Sequence, residues 1–469
     1  MKEKTFGKKI AFAAADILGG GSFNIINFLY TGFLVLAVGL SPYYAGLIIL
    51  LARIWDAVID PIMGYISDKT KSRWGKRRVY LIFVSPLLVI SLYLLFYPYN
   101  FEQEILKVIA CLASYLLFTT VQSAIMVPYY SLGSEISSDY HERASYNSVR
   151  LGFSIFASII CVAVPGLIIS SFEDQSIGYQ VMSLTFGVIF AVSTMITGIF
   201  AKEEIITEPT KAKFNFKDLL KPLKLKSYRQ YLYLFLVVQM CMAIMSGLFF
   251  FYIDFYITKT ATFNGSTTSV GLISAALMFG MQIVALPFYL KTIEKFGKTF
   301  TYRLGAFIWI IVALILLLVP QDLNQVWIIY LLAALMGFGI SGPGLIPHTM
   351  FGDVVDAGQL VFEERLDGQM GGFTNFVNQI SQAIGLALSM FILGLAGFVE
   401  SDLTNPPLNP SQPENALLAI KLIMSLAPLL LMTIGIIVSH RYKIDAQMQK
   451  EIRLAIKDST NIDELVKAL

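Results

Sequence analysis

Two aspartates and an arginine fall within one of the most apolar stretches of the chain, Arg53-Ile-Trp-Asp56-Ala-Val-Ile-Asp60-Pro61. Positions 53, 56 and 60 follow helical spacing, so all three side chains share one face. Ionisable groups in a segment long enough to cross a bilayer are costly and mark a functional site. Two carboxylates about 6 Å apart in a low-dielectric site need a compensating positive charge. Either one holds a proton or a cation lies between them, and both outcomes couple ion binding to local charge, as cation-driven solute movement requires. Ser123, on a later apolar segment, offers a hydroxyl that suits a hard cation. Arg53 reads as the structural neighbour of the pair.

Asp16 and Arg150, also inside apolar segments, have the character of a polar-solute site. A carboxylate accepts from paired hydroxyls and a guanidinium donates in a fixed fork. The alternative is a direct ion pair between them. Trp55, Tyr129 and Tyr130 offer ring faces to a sugar, or simply pack. Asn375, Asn378, Gln379 and Gln382 form an amide stripe that either lines a cavity or bonds between helices. His348 reads as a structural histidine, the glycines from Gly337 to Gly344 with Pro343 and Pro347 suggest a bend, and Asp254 is expected at a membrane interface.

The elements that position these groups follow from composition. The 469 residues are 56% hydrophobic and only 14% charged, with a mean hydropathy of +0.67, which excludes an ordinary water-soluble globule. Apolar stretches of about 20 residues recur, each long enough to cross a bilayer as a helix. Twelve are expected, near 9–37, 43–67, 79–98, 104–134, 145–171, 178–201, 229–258, 267–293, 301–319, 326–350, 368–397 and 416–440. The organisation predicted is a six-helix bundle over 1–202, a linker over 203–228, a second bundle over 229–440 and a tail over 441–469.

Lys and Arg crowd into the N-terminus, the run Lys69 to Arg78, the stretch Lys202 to Arg229 and the tail. By the positive-inside rule both termini and the linker face the cytoplasm of a plasma (inner) membrane. The turn around Gly75 and the turn Glu294-Lys-Phe-Gly297-Lys298 stand at equivalent places in the two halves and suggest a repeat. Cys111, Cys161 and Cys241 lack metal-binding spacing and read as buried. No nucleophile, metal or cofactor constellation of an enzyme is present in the spacing, and the solute is a small molecule rather than a nucleic acid. A monomer is expected.

Ala52-Arg-Ile-Trp-Asp56-Ala-Val-Ile-Asp60-Pro-Ile-Met-Gly64, with Arg73-Trp-Gly-Lys76, resembles the glycoside–pentoside–hexuronide:cation symporters, the melibiose and glucuronide permease group of the major facilitator superfamily. The likeness extends to Pro128-Tyr-Tyr-Ser-Leu132, Arg150, Gly352-Asp353-Val-Val-Asp356 with Glu364-Arg365, and Gln382-Ala-Ile-Gly385. The resemblance implies an all-α major facilitator fold of twelve transmembrane helices and cation-coupled symport of a sugar or glycoside by alternating access. It puts H⁺ or Na⁺ on Asp56, Asp60 and Ser123, and the solute on Asp16, Arg150 and Tyr130, with Asn375 and Gln379 expected to join them. No cofactor is implied, and no metal beyond a transported Na⁺. Met126 stands where melibiose permease has an acid and Gln379 where the family has a lysine, a charge-balanced departure that suggests a pair neutralised jointly. Asp68, Arg73, Lys76, Arg77, Arg78, Asp353, Asp356 and Arg365 are expected to join the halves in the outward-open state and part in the inward-open one. The rival readings are a cation-coupled lysolipid or amphiphile transporter and a transporter-like solute sensor.

Overall fold

A computed structural model describes residues 2–136, 140–201, 218–257, 269–321, 325–364, 366–401 and 412–458. Helices dominate them, as the continuous apolar runs dictate. The first expected span is α1 (Lys2–Ala13), α2 (Asp16–Ile25) and π-helical segments at Ile26–Tyr30 and Phe33–Ala37. It is followed by α3 (Pro42–Lys69), α4 (Arg78–Phe83), α5 (Ser85–Leu95), α6 (Glu104–Glu135), α7 (Tyr140–Ser170) and α8 (Gln175–Phe200). A 3₁₀ turn at Asp218–Lys224 leads to α9 (Lys226–Phe251), extended by a π-helical segment at Tyr252–Ile257. Then come α10 (Ser269–Phe296), α11 (Lys298–Leu318), α12 (Trp327–Phe362), α13 (Asp367–Leu395), α14 (Glu414–Arg441) and α15 (Ala446–Asp458).

Among the described residues ten helices are long and apolar enough to cross a membrane. The ten do not include α3, which carries Arg53, Asp56 and Asp60, nor the α4–α5 pair, which breaks at Val84 ahead of Pro86. A proline has no N–H to continue the ladder and its ring crowds the preceding turn. Within the first half α2 packs on α7, α3 on α6 and α5 on α8; within the second, α12 packs on α10 and α11, and α9 on α13 and α14. The broadest junction between the halves is α3 against α13, joined by α7 against α10 and by the Ile26–Tyr30 segment against α9.

One end of this junction is closed by packing. Every residue from Asn24 to Val38 and from Ala243 to Ile257 is buried, with Phe28 meeting Phe249, Phe250 and Phe279 at centroid distances of 6.1, 5.9 and 5.6 Å. Ser401 ties down the same end, its N–H donating to the Val35 carbonyl at 3.2 Å and its hydroxyl to that of Leu36 at 3.0 Å. Asp254, expected at an interface, is instead fully buried in the π-helical extension of α9. Both repeat turns use their glycine as the sequence requires: Gly75 has φ 100° and Gly297 φ 82°, values that penalise any side chain.

No break interrupts α12, which runs through Pro343 and Pro347. Its glycines serve close packing rather than a break, since a Cβ on Gly337 would lie 2.0 Å from the Met278 carbonyl oxygen and one on Gly339 2.8 Å from the Trp309 nitrogen. The tail helix α15 lies against α12 with Ile452 and Ala455 buried.

Candidate functional site

Asp56 and Asp60 face α6 and α13 across the α3 junction. The Ser123 hydroxyl of α6 donates to Asp56 Oδ1 at 3.3 Å and lies beside the Asp60 carboxylate. The Asn375 amide of α13 donates to Asp60 Oδ2 at 3.2 Å. Two carboxylates and a hydroxyl therefore converge, oxygen groups of the kind that suit a hard cation, with the Asn375 N–H₂ on their edge. Arg53, only 7% exposed, does not ion-pair with Asp56. One arm of its fork donates to Asn27 Oδ1 at 2.7 Å and the other to Gln379 Oε1 at 3.2 Å, so it links the first span, α3 and α13. Asn375 and Gln379, expected beside the solute, thus bond to the aspartate and arginine of α3.

Asp16 is set by a break in the first span. The Thr197 hydroxyl of α8 accepts from the Ala15 N–H at 2.9 Å and donates to the Ala11 carbonyl at 2.7 Å, inserting itself where a helical hydrogen bond would run. Such an insertion bends a helix, and Asp16 opens the next one. Gly19, Gly20 and Gly21 then let α2 approach its neighbours: Cβ atoms there would come within 2.8 Å of both Asp16 Oδ1 and Met126 Cε, 2.5 Å of the Ser154 carbonyl oxygen and 2.7 Å of Cys161 Sγ, respectively. Asp16 lies close to the Ser154 hydroxyl and within reach of the Arg150 charge, but Asp16 and Arg150 form no direct ion pair. Arg150 lies 5.5 Å from the centroid of Tyr130, and its Nε is buried without a hydrogen bond. Tyr130 is 50% exposed. Asp16, Arg150 and Tyr130 are therefore one cluster, with Met126 beside it. Gln379 has other neighbours, so the two departures from the family pattern sit on different partners. Trp55 turns aside, donating to Thr120 Oγ1 at 2.9 Å.

A cavity of ≈ 160 Å³ lies farther along α2, between the halves. Six amides reach it, Asn24 and Asn27 from the first span and Gln239, Gln282, Asn378 and Gln382 from α9, α10 and α13, and no charged residue lines it. Asn378 and Gln382 were visible as a stripe in the sequence. Asn24, Asn27, Gln239 and Gln282 were not: Gln239 and Gln282 are isolated amides on their own helices, and only the packing of those helices against the first span brings them to the Asn24/Asn27 pair.

At the end opposite Ser401 most of the charged residues expected to join the halves have at least one partner within their own half. Arg77 pairs with Asp68 and donates to Ser67 Oγ at 2.6 Å. Arg78 donates to the Gly198 and Ile199 carbonyls at 2.8 and 2.7 Å, a favourable place for a cation at the end of α8. Arg73 rests 5.9 Å from the Trp74 ring. Lys298 pairs with Asp353, while Asp356 accepts from Gln449 at 2.8 Å and Arg453 at 3.2 Å of α15. Arg365 lies outside the described residues.

Comparison with known proteins agrees with this architecture. The chain is 24% identical to the sodium-dependent lysophosphatidylcholine symporter 1-B of Danio rerio, covering 94% of this chain and 88% of that one. It is 27% identical to the putative glycoside/cation symporter YagG of Escherichia coli (strain K12), covering 97% and 96%. Among solved structures, a bacterial homologue of the human lysosomal transporter Spinster, inward-facing and unoccupied, aligns with a TM-score of 0.65 over 98% of this chain and 99% of that one at 13% identity. The nucleoside transporter NupG aligns with a TM-score of 0.60 over 93% and 98% at 11% identity. The family model described as MFS/sugar transport protein matches residues 11–446, and the chain belongs to that family: it is a multi-pass membrane transporter of the major facilitator superfamily.

Proposed function

We propose that the protein is a symporter that takes up a sugar or glycoside with H⁺ or Na⁺. The observation that carries this reading is the donor set of Asp56, Asp60 and Ser123, closed by Asn375 from the other half. A cation settling between the two carboxylates competes with the Asn375 amide for Asp60, so occupancy alters a bond across the very junction that must rearrange during transport. Asp16, Arg150 and Tyr130 hold the solute, and the neutral amides beyond them favour an uncharged, hydroxyl-rich molecule over an anionic one.

The same reading takes the division at 203–228 as the boundary between two bundles and the closed end near Ser401 as extracellular, with both termini cytoplasmic. On this reading the charged end is cytoplasmic, and Asp68, Arg73, Lys76, Arg77 and Arg78 exchange partners with Asp353 and Asp356 as the two halves close and open. Lysolipid transport is the second reading, favoured by the names of some relatives.

Reconstituted protein should accumulate a radiolabelled glycoside under an inward Na⁺ or H⁺ gradient, and Asp56→Asn and Asp60→Asn should each abolish accumulation while solute exchange persists. Undiminished accumulation in both variants would remove the cation assignment. Gradient-driven uptake of lysophosphatidylcholine with no response to any sugar would select the other reading.

A further inference from the structure

We infer that the outer face of α11 and α14 binds one anionic phospholipid of the surrounding bilayer, its phosphate held between Arg303 and His440 and its upper acyl chain lying in the groove beside them. The two helices pack on each other, and Phe300, Arg303, Leu304 and Phe307 of α11 line, with Ile436 of α14, an open groove of ≈ 410 Å³. Positions 300, 303, 304 and 307 follow helical spacing on one face, whereas Tyr302, Ala306 and Trp309 of the same helix are buried in the core. Both helices are long and apolar enough to span a bilayer, so the face that the core leaves uncovered meets lipid. None of these residues lines the cavity between the halves, and the site stands whichever solute is carried.

Charge selects which lipid. Several basic side chains at this end of the molecule are matched by carboxylates: Lys298 pairs with Asp353, Arg77 with Asp68 and Arg453 with Asp356. Arg303 has no carboxylate partner among the described residues; its Nε donates to the Thr299 carbonyl at 3.2 Å and its Nη1 to His440 Nδ1 at 2.6 Å. A guanidinium only donates, so the imidazole accepts at the nitrogen that meets it and keeps a donor hydrogen on the other. Arg303 Nη2 and that imidazole N–H therefore lie together with no acceptor among the described residues, and a phosphodiester oxygen is an acceptor that also neutralises the guanidinium. The helix dipole accounts for His440 and Arg441 in the last turn of α14, but it offers a cation nothing near the N-terminal end of α11, where Arg303 sits. The groove is polarised as a phospholipid is. Arg303 and His440 stand near the helix ends, and Phe307 and Ile436 each lie one turn farther toward the middle of the membrane.

The test is native mass spectrometry of the purified full chain released from vesicles of phosphatidylcholine with a minor share of phosphatidylglycerol, which reads the lipids that stay bound. The wild type should retain one phosphatidylglycerol in preference to phosphatidylcholine. Arg303→Gln should lower that retention about fivefold, the order expected for one basic side chain at an anionic leaflet, while Arg303→Lys should keep most of it. Leu304→Trp, which fills the groove and leaves every charge in place, should lower it as well and gives a reading independent of any folding effect at Arg303. Soluble glycerol phosphate should not displace the lipid; displacement would reduce the site to an anion pocket and overturn the assignment to a phospholipid. Equal retention of the two lipids by the wild type, or a preference undiminished in either Arg303→Gln or Leu304→Trp, overturns the site.

Discussion

Replacing Arg53 with glutamine isolates the charge that sits beside the two aspartates. Glutamine retains an amide that can donate to Asn27, so the change removes the positive charge with less loss of hydrogen bonding than alanine would cause. Arg53 and Asp56 occupy one face of α3 a turn apart, where side chains lie about 5–6 Å from each other. At 6 Å and an effective dielectric constant near 20, the interaction between unit charges is ~2.8 kcal/mol, about a hundredfold in an equilibrium constant. That charge repels an incoming cation as strongly as it attracts the carboxylates. Arg53→Gln should therefore tighten cation binding by roughly ten- to a hundredfold, the lower figure allowing for partial solvation of the half-buried aspartates. Turnover should fall, because a cation held more tightly leaves more slowly and because the bond to Gln379 across the halves is lost. Calorimetric titration with Na⁺, repeated as a proton-release measurement, reads the affinity; counterflow reads the turnover. Cation affinity equal to or weaker than wild type would show that the guanidinium organises the site rather than opposing the ion, and the electrostatic reasoning would fail.

Two further substitutions test the frame around the site. Thr197→Val removes the hydroxyl that bridges Ala11 and Ala15 and leaves a buried N–H and carbonyl unmatched, which should cost about 1–3 kcal/mol. A lowered Tm together with weaker solute binding is expected, since Asp16 begins at that break; a lower Tm with unchanged affinity would limit Thr197 to stability. Gly337→Ala forces a methyl against the Met278 carbonyl, 2.0 Å from the ideal Cβ, and should destabilise the α10–α12 contact by about 1–3 kcal/mol. Chemical-denaturant or thermal unfolding in detergent measures it, and a neutral result would mean that the two helices can separate without penalty.

The charged part of the site was legible because charge is rare and costly in an apolar chain. Asp16, Asp56, Asp60 and Arg150 announced themselves by composition alone, and helical spacing placed Arg53, Asp56 and Asp60 on one face of α3. Gly75 and Gly297 were legible for a similar reason, being the residues a tight turn tolerates. Asp254 shows where this logic stops: hydropathy marks a carboxylate near the end of a span, but only tertiary packing says whether that end is at the membrane surface or sealed inside. The glycines of α12 meet the same limit, since a glycine beside a proline suggests a bend until the neighbouring backbone occupies the space. Amides were harder still. Gln239 and Gln282 are single polar residues on apolar helices, common enough to carry no signal, and their meaning comes from convergence.

In the proposed reading, that convergence couples two sites with few charges. Asn27 lines the cavity and its Oδ1 is the acceptor for Arg53 at 2.7 Å, while Arg53 stands one turn from Asp56. A solute hydroxyl that claims Asn27 must share or displace the guanidinium, and a displaced guanidinium changes the field on the cation acids. A hydrogen bond to a charged group contributes about 1.5–3 kcal/mol, and coupling energies between linked sites typically run about 1–3 kcal/mol, or 5–150-fold in affinity. One bond made or broken at Asn27 is therefore enough to link solute to ion, without any charged residue in the solute cavity. Because the linkage is reciprocal, the cation must tighten or loosen solute binding by the same factor, and Asn27→Ala should reduce that factor toward one in both titrations. A coupling factor unchanged by Asn27→Ala would place the link elsewhere, for which the Asp60–Asn375 bond offers another contact between the aspartates of α3 and the other half.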